Sequence, residues 1–486
     1  MTGDTDDIPR FVCHGCIGDA FLKEEVKREG KRHTCTICGS RKKSIAFDEL
    51  CDRVHMIVSE EFQVTDSEPE SWTPYKEGNV DWERDGQTVD ELLAEVLECN
   101  QPLIDAIKEE LSGQHHSFDD AAAGIEDPYG DEVQYELRKA DDYEFHDAWS
   151  QFESEIRTQA RFFSSNAESA LDEIFGELDR FTTFKRPFIR VAGPGTSTEV
   201  VYRGRRAFDN SEIRRMVEHP ARELGAPPSR SAASGRMNPR WISMFYGAFD
   251  PDTCVSEIRA PVGSAVVIGK FIIIRKLRLL DLDALQHVFV KRASYFDPSF
   301  RRLREKAEFL KRLVVIMSRP VLPTDEDFHY LPTQAVAEYL SEKMEPRLDG
   351  LIFRSSQRGG EGENVVLFRR ASGVEPDGTD SLSMRTNFGW TTEDDADTDI
   401  TIWMKKKRKP RAKKTVRSDF LSFRDDWLDD TESAKGGFSF DSNEAEEPAL
   451  RIDLNKIEVR DIVAVKYTTL RRFVRRYKEP RGKSPF

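Results

Sequence analysis

Two Cys-x2-Cys pairs near the start of the chain, Cys13/Cys16 and Cys35/Cys38, constrain local folding more tightly than any other feature. Each pair lets two thiolates converge from one tight turn, and two such turns complete a tetrahedron around a metal. The 18 residues between the pairs fall within the usual spacing of a four-cysteine zinc site. A structural Zn2+ is expected there, because four sulfurs fill the coordination shell and leave no open position for catalysis. In small peptides such an ion contributes roughly 10–16 kcal/mol of apparent binding energy, enough to fold the module around it. His14 and His33 flank the ligands and stay open as substitutes for a cysteine. A redox role would require a thioredoxin-like βαβ pattern, which the flanking sequence lacks. Seven cysteines in all, an odd number with four in tight pairs, suit metal binding in a reducing compartment better than a disulfide framework.

With 486 residues the chain exceeds one ordinary core, so several domains are expected. A net charge of −15 argues against nucleic-acid binding by the whole surface and leaves room only for a local basic patch. The first ten residues are polar and acidic, and no apolar run approaches the roughly 18 residues of a membrane span. A cytoplasmic protein without membrane attachment is the expectation. After a zinc module over 1–43, helical spacing dominates residues 44–185: Leu50, Val54 and Ile57-Val58 form one stripe, Leu92-Leu93 to Ile107 another, and Trp149, Phe152, Ile156 and Phe162-Phe163 a third. Two polar breaks, Thr65 to Asp90 and Gly113 to Asp131, read as loops.

From Phe188 the period shifts toward strands. Strands are predicted at Phe188 to Val191, Glu199 to Arg203, Trp241 to Ala248, Ala265 to Ile274, Lys276 to Leu282, Asp349 to Phe353 and Asn364 to Phe368. Helices are predicted at Asp209 to His219, Ser299 to Leu313 and Ala335 to Lys343, and another, capped by Asp252-Thr253, bears Glu257. Residues 373–448 read as a low-order acidic and basic insertion. Within it, Lys405 to Lys414 is the one local patch suited to nucleic acid, and a solvated linker reading stays beside it. Leu450 to Leu454 and Val459 to Tyr467 read as strands in a C-terminal segment, 449–486, that ends in a basic tail, Arg471 to Lys483.

The stretch Gly235 to Glu257 places an arginine in a Gly-Arg-Met-Asn-Pro turn, an aromatic Phe245-Tyr246 strand and an acid at a helix within a short span. With YRGR upstream and YLPTQ, DGLIFRSS and GENVVLF downstream, this order of motifs resembles the RES domain. The zinc module and the helical block ending in W-x2-F-x3-I-x5-FF resemble the HEPN-type segment that precedes some RES domains. The resemblance implies a multidomain α+β protein: a four-cysteine zinc module, a HEPN-like helical domain, and an ADP-ribosyltransferase-like mixed β domain over residues 186–372 that the C-terminal strands complete. It implies a toxin or antiphage-defence enzyme that cleaves the nicotinamide–ribose bond of NAD by hydrolysis or phosphorolysis. An antitoxin or activating partner would accompany it, and a homo-oligomer stays open.

On that resemblance Arg203 and Arg236 would bind phosphate, and Tyr246 would stack on nicotinamide. Glu257 would stabilise positive charge on the ribose or orient the acceptor. Ser355 would contact substrate or hold an arginine, with Ser356 and Asn364 beside it. Taken singly, the arginines could be surface ion-pair partners, Tyr246 plain core, Glu257 a first-turn acid on its helix dipole, and Ser355 a turn cap. Two other functions remain open: mono-ADP-ribosyl transfer to a macromolecule, and a zinc and helical sensor with an inactive RES-like domain. HEPN ribonucleases carry Arg-x4–6-His on a helix. Arg138 and His146 are too far apart for it, while Arg28 and His33 fit the spacing inside the zinc module.

Overall fold

The computed structural model describes residues 9–66, 84–159, 164–319, 321, 324–391, 396–397, 399–406, 447–466, 469, 471–472 and 474. Phe162-Phe163, most of the basic run Lys405 to Lys414 and nearly all of the basic tail lie outside them. The architecture is mixed α+β, in two compact units whose segments alternate along the chain: 1–188 with 283–321, and 189–282 with 322–486.

In the first unit a three-stranded antiparallel sheet, Phe11–Cys13, Arg41–Ala46 and Lys31–Thr34 in that order, carries the cysteine turns. The helix Ala20–Glu29 packs beside it, its start fixed by the Asp19 carboxylate accepting from Leu22 N. The helices Phe47–Glu61, Val89–Leu97 and Gln101–His115 follow the predicted apolar stripes, with Leu50, Val54, Leu93 and Ile107 fully buried in a shared core. Gly113 to Asp131, expected to be a loop, is partly helical. The preceding helix runs on to His115, and a short turn of helix, Phe118–Ala122, starts at a Ser117 capping box. A small sheet also interrupts the helical block, with Gln134–Leu137 pairing both Phe62–Val64 and Gln87–Thr88. Residues 283–321 bring a 21-residue helix, Pro298–Ser318, into this unit, where Phe309 packs against Phe145 and Trp149 of the helix Tyr143–Thr158.

The second unit is built on an eight-stranded sheet. Its strands are β1 (Ile189–Ala192), β2 (Val200–Ala207), β3 (Phe245–Ala248), β4 (Ala265–Ile273), β5 (Leu277–Asp281), β6 (Gly350–Arg354), β7 (Glu363–Leu367) and β8 (Leu450–Asp461). They lie in the order β8-β4-β2-β3-β7-β6-β5-β1, with β5 and β6 parallel and every other pair antiparallel. One face packs Val201, Phe245, Phe271 and Leu367 beneath the helices Asn210–Glu218 and Pro220–Leu224. The other packs Ala248, Val266 and Ile268 beneath the helix Pro251–Ile258, whose Cys254 joins that cluster.

Four local expectations need correction. The cap of Pro251–Ile258 is Asp250, not Asp252-Thr253: Asp250 accepts from Thr253 N, and Pro251 takes the first helical position, where its missing N–H costs nothing. The strand predicted from Trp241 begins only at Phe245, because Trp241 sits at φ 72°, a left-handed conformation that a pleated strand does not admit. The two C-terminal strands are one, β8, bent where its register against β4 shifts between Gly269 and Phe271; Tyr467 lies outside the described residues. Part of the presumed low-order insertion is folded, since Leu382–Asn387 pairs antiparallel with Thr401–Lys406.

Candidate functional site

The pairing of β2 with β3 is confined to one residue pair, Tyr202 with Ala248. Beyond it the two strands share no further ladder pair, and a side chain takes over the role: Arg203 Nη1 donates to the Tyr246 carbonyl at 3.0 Å. A cavity of ≈ 260 Å³ lies at this junction, lined by Arg203, Gly204, Tyr246, Cys254, Glu257 and Asn364 among others. Of the seven RES-region residues singled out from sequence, four line it: Arg203, Tyr246, Glu257 and Asn364.

Arg203 is an unusual cation. Its guanidinium lies over the Phe245 ring at 5.1 Å, and its Nε is buried without a hydrogen-bond partner. Burial, seconded by Arg205, pushes its pKa down to about 10. Among the described residues no carboxylate lies within ion-pair distance of it, so the surface ion-pair reading does not apply. A buried charge left unpaired by the protein is costly, and the natural complement is a bound anion.

Glu257 belongs to the last turn of its helix, which disposes of the first-turn dipole reading. A carboxylate there faces the negative end of the helix dipole and needs other donors. Ser355 Oγ supplies one at 2.6 Å and Asn364 Nδ2 another at 2.8 Å, both to Oε1. Ser355 is fully buried, so its hydroxyl serves the acid rather than capping a turn. Oε2 has no partner among the described residues. Ser356, by contrast, is exposed and outside the lining.

The loop that delivers Ser355 is pinned to the helix bearing Glu257. Arg358 Nη1 donates to Asp250 Oδ1 at 3.2 Å and to Thr253 Oγ1 at 3.0 Å. Gly362, at φ 77°, lies so close to Thr253 that a Cβ would fall 2.0 Å from its Oγ1. Neither Arg358 nor Asp250 was singled out from sequence.

Tyr246 places its ring in the lining while its hydroxyl is committed to the Gly-Arg-Met-Asn-Pro turn, donating to Asn238 Oδ1 at 2.6 Å and accepting from Met237 N at 3.2 Å. Burial raises its pKa well above the ordinary tyrosine range, so the phenol stays protonated. Asn238 in turn donates to the carbonyls of Ala233 and Ile242, and Gln334 of the YLPTQ motif donates to Gly235 O and Asn238 O. Asn238 and Gln334 are the parts of those motifs whose structural role the sequence concealed. Arg236 itself is outside the cavity lining, its guanidinium 5.7 Å from the Tyr330 ring centre.

The four cysteine sulfurs lie within 4.8 Å of one another. Sγ of Cys13 is 3.9 Å from that of Cys16 and 3.6 Å from that of Cys38, and Cys16 Sγ is 3.7 Å from that of Cys35. A zinc–sulfur bond of about 2.3 Å implies tetrahedral edges of about 3.8 Å, so the donor set fits such an ion. His33 stacks on Phe11 at 3.7 Å and is not needed to complete the cluster.

Residues 205–386 match the RES domain, and residues 28–170 match HEPN/RES N-terminal domain 1. The chain thus carries a RES domain behind an N-terminal HEPN/RES module, and the RES domain family is associated with NAD-processing enzymes. The RES match takes in Arg236, Tyr246, Glu257, Ser355 and Asn364 and begins just after Arg203. No curated protein and no solved structure matches the chain. No described helix is long and apolar enough to cross a membrane.

Proposed function

We propose that the cavity binds NAD and that the chain cleaves its nicotinamide–ribose bond, passing ADP-ribose to water or inorganic phosphate. The observation that carries this reading is the pairing, within one cavity, of an unpaired buried guanidinium with a carboxylate held on one oxygen only. Bond cleavage leaves positive charge on the ribose ring, as in glycoside hydrolysis. The C1′–N bond breaks, its electron pair leaves with nicotinamide, and the acceptor oxygen closes on C1′ as its proton departs. Arg203 holds a diphosphate oxygen, to which a guanidinium is well matched. Glu257, fixed through Oε1 by Ser355 and Asn364, presents Oε2 to the developing cation or to a ribose hydroxyl. Tyr246 offers its ring face to the nicotinamide. Arg236, on its Asn238-locked turn, meets the substrate at the rim. The cysteine cluster takes zinc and holds the N-terminal module together. Depletion of NAD makes the protein a cellular toxin that a partner or trigger must restrain.

The test is nicotinamide release from NAD by the purified chain, with and without phosphate, beside Glu257→Gln. Release by the wild type with at least a hundredfold loss in the variant is expected, and phosphate dependence identifies the acceptor. Equal release by both proteins would remove Glu257 from the mechanism. Label carried onto a macromolecule instead of free ADP-ribose would make the protein a transferase.

A further inference from the structure

The strand β2 holds more positive charge than the cavity at its side uses. Arg203, Arg205 and Arg206 follow one another along it, and none has a carboxylate within ion-pair distance among the described residues. Arg205 donates to the Gly225 carbonyl at 3.3 Å, and Arg206 lies over the Phe208 ring at 4.6 Å. Elsewhere in the same unit Arg190, Arg275 and Arg358 are each ion-paired, in a chain whose net charge is −15. Arg206 is exposed and solvated, but a run of guanidiniums without acids in so acidic a protein gives this strand a local positive field that favours an anionic ligand.

A second hollow of ≈ 450 Å³ opens at this point, lined by Gly204, Arg205, Arg206, Phe208, Glu212 and Ile258. It shares Gly204 and Ile258 with the cavity of Arg203 and Glu257. Gly204 keeps the partition thin, for a Cβ there would fall 2.7 Å from Ile258 Cδ1. Phe208 is 62% exposed, an aromatic face that the protein leaves to solvent beside a cation. The Glu212 carboxylate accepts from the Phe208 amide at 2.8 Å, so it fixes the ring's stem instead of neutralising the arginines. From Arg203 to Phe208 the chain covers about 16 Å at strand rise.

We infer that this hollow is the subsite for the adenylate half of the dinucleotide, with its phosphate beside Arg206 and the adenine stacked on Phe208. The inference rests on the function proposed above and adds which end of the substrate is recognised where. Stacking on Phe208 favours a substrate that carries the base, so much of the discrimination between a dinucleotide and its nicotinamide half would reside here.

The experiment compares NAD with nicotinamide mononucleotide as substrates for the full chain, in the wild type, Phe208→Ala and Arg206→Ala. The ratio of kcat/KM for NAD to that for the mononucleotide is expected to fall about tenfold in each variant. An unchanged ratio would overturn the subsite. Binding of AMP by titration calorimetry separates this outcome from failure of the proposed chemistry. If neither substrate is cleaved but AMP binds the wild type at least tenfold more tightly than Phe208→Ala, the subsite stands and the chemistry falls. If AMP binds both proteins equally, or neither, the subsite falls.

Discussion

Arg203 shows at the level of one residue how a site can hold stability in reserve for a ligand. Its folded-state pKa, pushed down to about 10, is below the ordinary arginine value, because burial disfavours the charged form. At neutral pH both states are protonated and the full penalty is present; it fades only as pH rises through about 10 toward the ordinary arginine range. Arg203→Met removes the charge while keeping much of the volume over Phe245. The variant is expected to be more stable than the wild type at pH 7, by on the order of 1–3 kcal/mol, while losing nicotinamide release. ADP-ribose should raise the wild-type melting temperature and leave the variant's unchanged. In the wild type, KM for NAD should climb above pH 10 as the guanidinium loses its proton. A variant that melts below the wild type and still responds to ADP-ribose would show that Arg203 is held by contacts within the protein rather than waiting for an anion.

At the scale of elements, the cysteine turns behave as a unit. The Cys13–Cys16 turn closes with Cys16 N donating to Cys13 O at 2.9 Å, and the Cys35 turn closes with Gly39 N donating to Cys35 O at 2.9 Å, where Gly39 adopts φ 69°. With a small three-stranded sheet as scaffold, the ion is expected to supply most of the module's stability. Cys16→Ser, or treatment of the wild type with a chelator, should release about one zinc per chain and lower the first melting transition. Retention of the transition with zinc fully removed would reduce the cluster to four idle thiols. These turns were legible in sequence because ligand chemistry and spacing coincide in neighbouring residues. So were the stripes of Leu50 to Val58 and Leu92 to Ile107, and the strands β4 and β7, whose apolar runs are long. Less was visible wherever distant partners decide. The bond from Asn364 to Glu257, the Arg358 tie to Asp250 and the commitment of the Tyr246 hydroxyl to Asn238 all join residues that only the sheet brings together. The pairing of Gln134–Leu137 was hidden because its partners, Phe62–Val64 and Gln87–Thr88, are too short to show an alternating pattern.

At the scale of the molecule, the chain order and the folded units do not coincide. Residues 283–321 lie inside the stretch that matches the RES domain, yet they fold with residues 1–188. The helix Pro298–Ser318 buries Phe300, Leu303, Phe309, Leu310, Leu313 and Val314 in that unit, and Lys306, almost fully buried, donates to the Gly176 carbonyl there. Burial lowers the Lys306 pKa to about 8, so this amine needs its carbonyl partner to remain inside. A fragment beginning at residue 189 would keep all eight strands of the sheet but leave that helix's apolar stripe without its partners. An exposed stripe of this length is an aggregation surface. Residues 189–486 expressed alone should therefore enter the insoluble fraction or bind a hydrophobic dye, although every residue assigned to the cavity is present. Supplying residues 1–188 as a separate chain should restore solubility. A monodisperse 189–486 fragment with wild-type turnover would show instead that the N-terminal module is dispensable for folding, and that its role is confined to partners or control.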